Sequence, residues 1–327
     1  MSDEKFMVTG SMGCIGAWVL RNLTAGGVPV VATDLATEPI RPRQLLSEDA
    51  LGRVKFVKLD VTDLKAVRSV VEGEGISHII HLAGLQVPFC KANPSLGAQV
   101  NVVGTVNIFE AARHNQAQVR GLAYASSLAV LGPADRYPHK PVPDDAPLYP
   151  ETLYGVYKQA NEHTARIYWQ DWGVGSVGLR PYIVYGVARD QGMTSGIAKA
   201  ILAAAAERPY HLNFGGPVAL QYADDVASMF IESARAGYRG AAACNLRNDV
   251  VDVGDFIKLV ETEVPGAQLT YNADTFLPFP ADLDDAGLQA ILGQVPYTPL
   301  KDAVQQSYGL FKELLAQDKI DLGQLGQ

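Results

Sequence analysis

The chain has 327 residues, of which 48% are hydrophobic and 19% charged, and its formal net charge is −8. This composition is that of a globular protein with a large core, and it excludes a disordered chain. The acidic balance, without any run of Lys and Arg, argues against binding to a nucleic-acid backbone.

The three cysteines, Cys14, Cys90 and Cys244, lie far apart and lack the spacing of a metal site, so we expect free thiols in a reducing compartment. The opening segment MSDEKFMVTG lacks the basic and apolar regions of a signal peptide. The longest apolar run, at 200–206, is too short to span a bilayer. We therefore expect a soluble cytoplasmic protein that does not bind membranes.

Short apolar segments alternate with helical patterns through the first half of the chain. In chain order we predict a strand KFMVTG, a helix at about 14–24, a strand PVVATD and a turn, a strand VKFVKLD, a helix near 63–73, a strand HIIHLAG, a helix around 95–114, a strand GLAYASS, a Pro-rich loop at 132–150 and a helix at about 154–172. Apolar strands separated by helices indicate a parallel sheet with helices on both faces. Right-handed crossovers then give a doubly wound, Rossmann-type α/β fold.

The alternation stops after about Arg180, in the segment GSVGLRPYIVYG. Helical patterns at 193–207 and from YADDVA onwards are separated by loops, and an amphipathic helix is predicted at about 300–316. We predict a larger domain formed by 1–180 and about 216–240, a smaller α+β lobe formed by about 181–215 and 241–300, and a C-terminal helix and tail at 300–327.

The first strand runs directly into TGSMGCIG, with glycines at positions 10, 13 and 16. In a strand–turn–helix context, Gly10 permits the tight turn, Gly13 lets the backbone approach a pyrophosphate, and Gly16 lets the helix pack on the strand. Asp34 ends the second strand, where an acid accepts the ribose hydroxyls of NAD and repels the 2′-phosphate of NADP. The nearest arginine is Arg41, so the pattern predicts NAD as the cofactor and the larger domain as its binding domain.

Eight segments in a common order resemble the extended short-chain dehydrogenase/reductase family, in its NAD-dependent epimerase/dehydratase branch. They are TGSMGCIG, LDVTD at 59–63, HLAG at 81–84, NVVGTVNIFEAA at 101–112, YASSLAVLG, YGVYK at 154–158, LRPYIVYG and YADDVA, and together they cover nearly the whole chain. The resemblance implies an NAD-dependent enzyme, with a role in sugar metabolism. It implies cofactor-binding residues Gly10, Gly13, Cys14, Ile15, Gly16, Asp34, Asp60, Val61, Leu82, Ala83, Gly84, Asn101 (as support for the helix–strand packing behind the site), Ser126, Tyr154, Lys158, Pro181 and Ile183.

The same resemblance implies that Ser127, Tyr154 and Lys158 are the catalytic residues. A tyrosine phenol titrates near pH 10, and a cation about 4–5 Å away favours the phenolate by on the order of 3–4 kcal/mol. Lys158 shares a helix face with Tyr154, so we expect it to lower the pKa of that phenol. Tyr157 points about 100° away from Lys158, which indicates packing or a wall of the substrate site.

Dehydrogenases, epimerases and dehydratases of the family share these three residues, so other positions must decide which of the three reactions the enzyme catalyses. Family dehydratases carry an Asp-Glu pair where this chain has Leu128 and Ala129, which disfavours dehydration. The arginine that holds a nucleotide diphosphate in family epimerases is absent between Phe214 and Val226. The sequence favours a dehydrogenase that oxidises a secondary hydroxyl of a sugar acid, a polyol or a hydroxy acid. The alternatives are an epimerase of a (nucleotide-)sugar with a transient keto intermediate, and a catalytically silent NAD-binding regulator.

The segment GVARDQGMTSG at 186–196 begins where members of the family enter the substrate cleft. Here Arg189 is a candidate clamp for a carboxylate, and Thr194 and Ser195 are candidates for holding hydroxyls. No metal is predicted, because His78 and His81 fall on opposite faces of a strand. The family commonly dimerises through a four-helix bundle, which predicts a homodimer through the helices around 95–114 and 154–172. Candidates for that contact, or for the core, are Val102, Val106, Phe109, Ile167 and Trp169.

Overall fold

The computed structural model describes residues 4–326. Its strands are β1 Phe6–Thr9, β2 Val30–Asp34, β3 Lys55–Lys58, β4 His78–His81, β5 Gly121–Ala125, β6 Ser176–Arg180, β7 Ile183–Tyr185, β8 Tyr210–Leu212, β9 Pro217–Tyr222, β10 Ala241–Asn245, β11 Asp249–Asp252 and β12 Leu269–Tyr271.

The α-helices are α1 Cys14–Ala25, α2 Pro42–Leu45, α3 Glu48–Gly52, α4 Leu64–Gly73, α5 Val87–Ala92, α6 Pro94–Ala98, α7 Gly104–His114, α8 Leu153–Trp172, α9 Gly196–Ala205, α10 Ala223–Arg235, α11 Val253–Glu263, α12 Ala286–Leu292 and α13 Leu300–Ala316. A π-helical segment, Gln99–Val103, joins α6 to α7, and short 3₁₀ turns occupy Leu128–Val130, Ala134–Arg136 and Leu322–Leu325.

The main sheet has seven strands in the order β10-β6-β5-β4-β1-β2-β3. Every neighbouring pair is parallel; Val8 of β1, for example, lies between Ala32 of β2 and Ile80 of β4. The chain reverses direction across the sheet after β3, so the crevice between β1 and β4 is the topological switch point where such folds bind ligands. The doubly wound α/β fold predicted from the sequence is therefore confirmed.

Alternation along β1 divides the core between the two faces of this sheet. Phe6 and Val8 pack with Trp18 of α1 and with residues of α10 on one face. Met7 packs on the other face with residues of α4, α7 and α8, among them Phe109. Phe109 is fully buried there, so of the two roles open to it the structure shows the core role.

Two smaller sheets lie outside the main one. In the first, β9 pairs in parallel with β7 and antiparallel with β11. In the second, β8 and β12 form a parallel pair. Strand β10 lies in the main sheet beside β6, although the sequence division placed 241–300 in the smaller lobe. A five-residue strand with small side chains, AAACN, gave no local sign of which sheet it joins.

Three details differ from the sequence prediction. Short helices α2 and α3 replace the turn after β2, and α5 was not predicted. The helix expected around 95–114 begins at Pro94 and contains the π-helical segment. Its start is set locally, because the Asn93 side chain accepts a hydrogen bond from the Leu96 N–H over 3.1 Å. The last helix, Leu300–Ala316, has the predicted bounds. Within residues 4–326 no helix combines the length and apolarity needed to cross a membrane.

Candidate active site

A cavity of about 480 Å³ opens at the carboxyl ends of the main-sheet strands. One group of lining residues follows β1 to β4, and we call it the cofactor end; it includes Gly10, Asp34, Asp60 and Ala83. A second group, the substrate end, comprises Gln86, Thr152, Tyr182, Arg189, Thr194 and Phe279. Ser127, Tyr154 and Lys158 line the same cavity.

Backbone crowding at the cofactor end explains why its loop is made of glycines. Gly10 has φ +67°, and a Cβ there would stand 2.6 Å from the Ala83 nitrogen. A Cβ on Gly16 would stand 2.7 Å from the Ser11 Cα, so α1 packs directly on its own loop. Helix α1 has neither a side-chain cap nor an acidic residue in its first turn. Its N-terminus therefore suits the pyrophosphate of a dinucleotide.

Asp34 is held at the end of β2 by two backbone N–H groups. Its Oδ2 accepts from Met12 over 3.0 Å, and its Oδ1 accepts from Ala36 over 3.2 Å. Arg41 does not turn toward this carboxylate; its guanidinium binds Asp190 instead. An acid with its arginine engaged elsewhere fits the ribose of NAD and not a 2′-phosphate, so the residues present fit NAD.

The segment after β4 is held by a chain of side-chain hydrogen bonds that the sequence did not reveal. Thr9 Oγ1 accepts from the N–H groups of Leu82 and Ala83, each over 3.2 Å, and lies 2.7 Å from His81 Nδ1. Because both lone pairs of Thr9 are used, its hydroxyl donates to His81 Nδ1, and His81 Nε2–H donates to Thr105 over 3.0 Å. Burial lowers the pKa of His81 to about 3, so this ring is neutral.

Asn101 lies behind the cavity and does not line it. Its side-chain oxygen accepts from Leu85 N–H over 3.0 Å, and its amide donates to the Leu85 carbonyl over 3.1 Å. A Cβ on Gly84 would stand 2.6 Å from that side-chain oxygen, so Asn101 shapes the segment that faces the cavity. Asn101 thus holds the backbone behind the cavity and does not itself border the cofactor end.

Tyr154 and Lys158 stand one turn apart at the start of α8, which the Thr152 side chain caps by accepting from Gly155 N–H over 3.0 Å. A Cβ on Gly155 would overlap the Ala129 carbonyl oxygen, so α8 begins in contact with the turn after β5. That contact places Tyr154 beside Ser127, and the Ser127 hydroxyl acts to lower the pKa of the phenol. Lys158 Nζ lies 5.6 Å from the Tyr154 ring centre and donates to the Ala125 carbonyl over 2.7 Å. Tyr157 points elsewhere, and its hydroxyl donates to the Pro94 carbonyl over 2.9 Å.

The pKa of Tyr154 differs from the sequence expectation. Burial raises it above the usual 10, while the Ser127 hydroxyl and the charge of Arg189 act to lower it. Burial also lowers the pKa of Lys158 to about 8. Lys158 was expected to lower the pKa of Tyr154, but in this structure the pKa is raised, because desolvation disfavours both charged forms.

Ser126 is turned away from the cofactor end although it borders the cavity. Its hydroxyl donates to Glu162 over 2.5 Å, and Glu162 also receives two hydrogen bonds of 2.8 Å from Arg180. Both charged side chains are buried. This pair was missed from the sequence, but an arginine inside an apolar strand signals a buried acid nearby.

The substrate-end residues divide into those that face the cavity and those that do not. Arg189 and Thr194 line it, with Arg189 Nη2 donating to Thr194 Oγ1 over 3.3 Å. Arg189 Nε is buried and has no hydrogen-bond partner among residues 4–326. Ser195 is buried outside the cavity, where its hydroxyl donates to the Gly192 carbonyl over 2.8 Å. It is therefore not placed to hold substrate.

Strand β7 contributes a different residue from the one predicted. Ile183 lies in the core, and its neighbour Val184 borders the cavity, because adjacent strand residues face opposite sides. The other implied cofactor residues, including Cys14, Ile15, Val61, Leu82 and Pro181, do line the cavity. Among the described residues, 4–326, no group of three or more His, Cys, Asp or Glu side chains is arranged to hold a metal ion.

A Rossmann sheet with a glycine-rich first turn and a Ser–Tyr–Lys set at the switch point defines a dinucleotide-dependent dehydrogenase-type enzyme. Residues 6–246 match the NAD dependent epimerase/dehydratase family. The chain belongs to this family, within the extended short-chain dehydrogenase/reductases, and is an NAD-dependent enzyme of the dehydrogenase/epimerase type.

Individual relatives cover both reaction types. The chain is 26% identical to the mitochondrial L-threonine 3-dehydrogenase of Sus scrofa, over 84% of this chain and 72% of that one. It is 29% identical to the UDP-glucose 4-epimerase of Mycolicibacterium smegmatis, over 94% and 98%. The L-threonine dehydrogenase structure from Clostridium difficile superposes with a TM-score of 0.81 at 20% identity, over 95% and 98%, which shows a shared fold.

Proposed function

We propose that the chain oxidises a secondary hydroxyl of a small polyhydroxy or hydroxy acid, the carboxylate of which binds Arg189. The observation that carries this proposal is that Tyr154, Ser127 and Arg189 line one cavity, where the Ser127 hydroxyl and the Arg189 charge both act to lower the pKa of Tyr154. The hydroxyl to be oxidised and the anionic group of the substrate are thus recognised by side chains that border the same space.

Bound NAD supplies the hydride acceptor and, in its oxidised form, a positive charge beside the phenol. Tyr154 is the base that takes the proton of the substrate hydroxyl. Ser127 donates its hydrogen to the oxygen that becomes a carbonyl, since the Ser127 oxygen already accepts from the Ala129 N–H over 3.1 Å. The charge of Arg189 favours the Tyr154 phenolate. Lys158, protonated below about pH 8, is the second cation near the phenol, with its Nζ 5.6 Å from the ring centre.

The charges that line the cavity support a small acidic substrate. Its only lysine or arginine side chains among the described residues are Lys158 and Arg189. A nucleotide diphosphate in the same space as NAD would require further cations, because buried phosphate charges need partners. Arg189 Nε, buried and unpaired among residues 4–326, is a donor suited to a carboxylate oxygen.

A sugar epimerase remains the second candidate, favoured by the 29% identity to the UDP-glucose 4-epimerase over 94% of this chain. Leu128 and Ala129, which border the cavity, offer no acid for a dehydratase. The L-threonine 3-dehydrogenase relative acts on a compound with a carboxylate and a secondary hydroxyl, the two groups proposed for this substrate.

The test is a panel of L-threonine, 3-hydroxybutyrate, threonate, gluconate and matching neutral polyols, followed by NADH absorbance. Stoichiometric NADH with an acid supports the proposal. Inversion of a sugar without net NADH indicates the epimerase instead. Binding of NAD without turnover of any acid or sugar indicates a silent regulator and contradicts the proposal.

We further propose a cytoplasmic homodimer. The cysteines Cys14, Cys90 and Cys244 are free thiols, as suits a reducing compartment. Val103, Val156 and Ile167 expose 40% or more of their surface on the helices expected to form a four-helix bundle. Sedimentation of the purified chain tests the dimer, and a monomer at micromolar concentration contradicts it.

A further inference from the structure

The loop 186–195, which we call the Arg189 loop, has an unusual backbone. Gly186, Ala188 and Gly192 all have positive φ, and Ala188 is buried with φ +70°. A non-glycine residue in this conformation persists only where surrounding contacts impose it. The direction in which Arg189 points therefore depends on whatever holds this loop.

The first anchor of the Arg189 loop is the helix of the cofactor end. Trp18 Nε1 of α1 donates to the Val187 carbonyl over 3.0 Å, and the Cys14 thiol lies 3.8 Å from the same oxygen. Trp18 is fully buried. Burial raises the pKa of Cys14 to about 11, and the charges of Arg189, Arg41 and Asp190 all act on that thiol. The loop thus lies directly over the glycine turn.

The second anchor is Arg41. Its guanidinium donates three hydrogen bonds of 2.9–3.2 Å to the Asp190 carboxylate and one of 2.9 Å to the Met12 carbonyl. Met12 N–H in turn donates to Asp34. A single side chain therefore connects the residue after Arg189 to Met12, the residue whose N–H holds Asp34.

We infer that Arg41 and Asp190 are positioning residues that couple the ribose site of NAD to the Arg189 loop, so that bound NAD raises affinity for the substrate carboxylate. This inference rests on the proposed role of Arg189. When NAD fixes Asp34 and the glycine turn, Met12 and Arg41 are fixed with them, and Asp190 holds the loop in its carboxylate-binding form. By linkage, the acid must raise affinity for NAD by the same factor.

The geometry separates this pair from ordinary surface ion pairs. About a quarter of each side chain is exposed, 22% for Arg41 and 28% for Asp190, and the contact is a fork of several hydrogen bonds. By contrast, Arg43 on α2 pairs with Glu38, and both are more than half exposed, at 52% and 73%. Arg43→Gln removes a guanidinium two residues from Arg41, one that pairs with Glu38 and not with the Arg189 loop, and is the matched control.

Hydrogen exchange tests the coupling without any turnover. In the wild-type chain and in Arg43→Gln, adding NAD should slow amide exchange in peptides from both the glycine turn and residues 187–195. In Asp190→Asn and Arg41→Gln, NAD should protect only the glycine turn. Protection of residues 187–195 by NAD that persists in both variants, or is missing in the wild type, overturns the inference.

Kinetics with the best acid of the panel supply the second readout. Asp190→Asn should raise KM for the acid by about fivefold with kcat within about twofold, the size of one partly exposed charged contact. Arg41→Gln should raise KM for the acid in the same way, and Arg41→Lys, which keeps a positive charge, should raise it less. If Arg189→Gln raises KM but Asp190→Asn does not, the coupling is wrong and the proposed function stands. If Arg189→Gln leaves KM unchanged, the proposed function itself is wrong.

Discussion

The two ends of the cavity differ in whether backbone or side chains form their walls. The cofactor end consists of backbone: a glycine turn, an uncapped helix start and an acid held by two N–H groups. The substrate end consists of side chains from distant segments, among them Gln86, Arg189 and Phe279. Backbone geometry is common to many sequences of one fold, whereas a set of side chains is particular to one ligand. The cofactor can therefore be read from motifs, and the substrate cannot.

The largest effect is expected for Tyr154, which lies between the cofactor end and the substrate end of the cavity. Tyr154→Phe should lower kcat by about 10³ and leave the dissociation constant of NAD within about twofold, because only the proton acceptor is removed. Steady-state rates and calorimetry measure the two quantities. Tyr157→Phe, whose hydroxyl lies against Pro94, should keep near-normal turnover. Residual activity above a tenth in Tyr154→Phe contradicts its role as the base.

NAD binding at the cofactor end can be weakened by a substitution that removes no polar side chain. Gly10→Ala should weaken NAD binding by about a hundredfold, because a Cβ there meets the Ala83 backbone and the turn must shift. Gly27→Ala is the matched control, since Gly27 has φ +68° and nothing within 4 Å of its Cβ position. It should cost about 1–2 kcal/mol of stability and leave NAD affinity unchanged. Equal NAD affinities in the two variants would show that crowding at Gly10 is irrelevant.

Substrate binding at the substrate end should depend on the charge of Arg189. Arg189→Gln should raise KM for an acid by about twentyfold, as expected for loss of a charged hydrogen bond, and leave NAD affinity nearly unchanged. The neutral polyol that corresponds to the acid is the control, and its KM should stay within about twofold. An equal effect on acid and polyol would mean that Arg189 shapes the site without binding a carboxylate.

The smallest expected effect is on stability, and it concerns Asp144, which does not line the cavity. Burial raises the pKa of Asp144 from 3.8 to about 6, although its carboxylate accepts from Asn245 N–H over 2.5 Å. Between those pH values the folded chain binds the proton more tightly, so the stabilisation is full below 3.8 and is lost as pH rises through about 6. With partial exposure discounted, the loss is about 1 kcal/mol.

Asp144→Asn should reduce the fall in stability between pH 4.5 and pH 7.5 by about 1 kcal/mol, which urea unfolding at those two pH values measures. The exposed neighbour Asp145 provides the control, and Asp145→Asn should keep the wild-type slope. A wild-type slope in Asp144→Asn would mean that the carboxylate is solvated in the folded chain.

What could be predicted from the sequence also differs between the cofactor end and the substrate end. That Gly10, Asp34, Tyr154 and Lys158 lie at one cavity could be predicted, because each belongs to a short motif with a local physical reason. The Arg41–Asp190 contact spans 149 residues of sequence, and neither residue carries a local signal of the other. Ile183 was chosen in place of Val184 because the phase of β7 depends on its pairing with β9. The pKa of Tyr154 depends on burial, which spacing along a helix does not report.

The central claim is that Tyr154 takes the hydroxyl proton while the hydrogen on the same carbon leaves as hydride. The direct measurement uses the best acid of the panel, deuterated at the carbon that bears the hydroxyl, with mass spectrometry of the reduced cofactor. If the claim is correct, the NADH formed carries the deuterium, and the rate shows a primary isotope effect that Tyr154→Phe abolishes together with turnover. Reduced cofactor without deuterium, or no reduced cofactor with any acid, contradicts it.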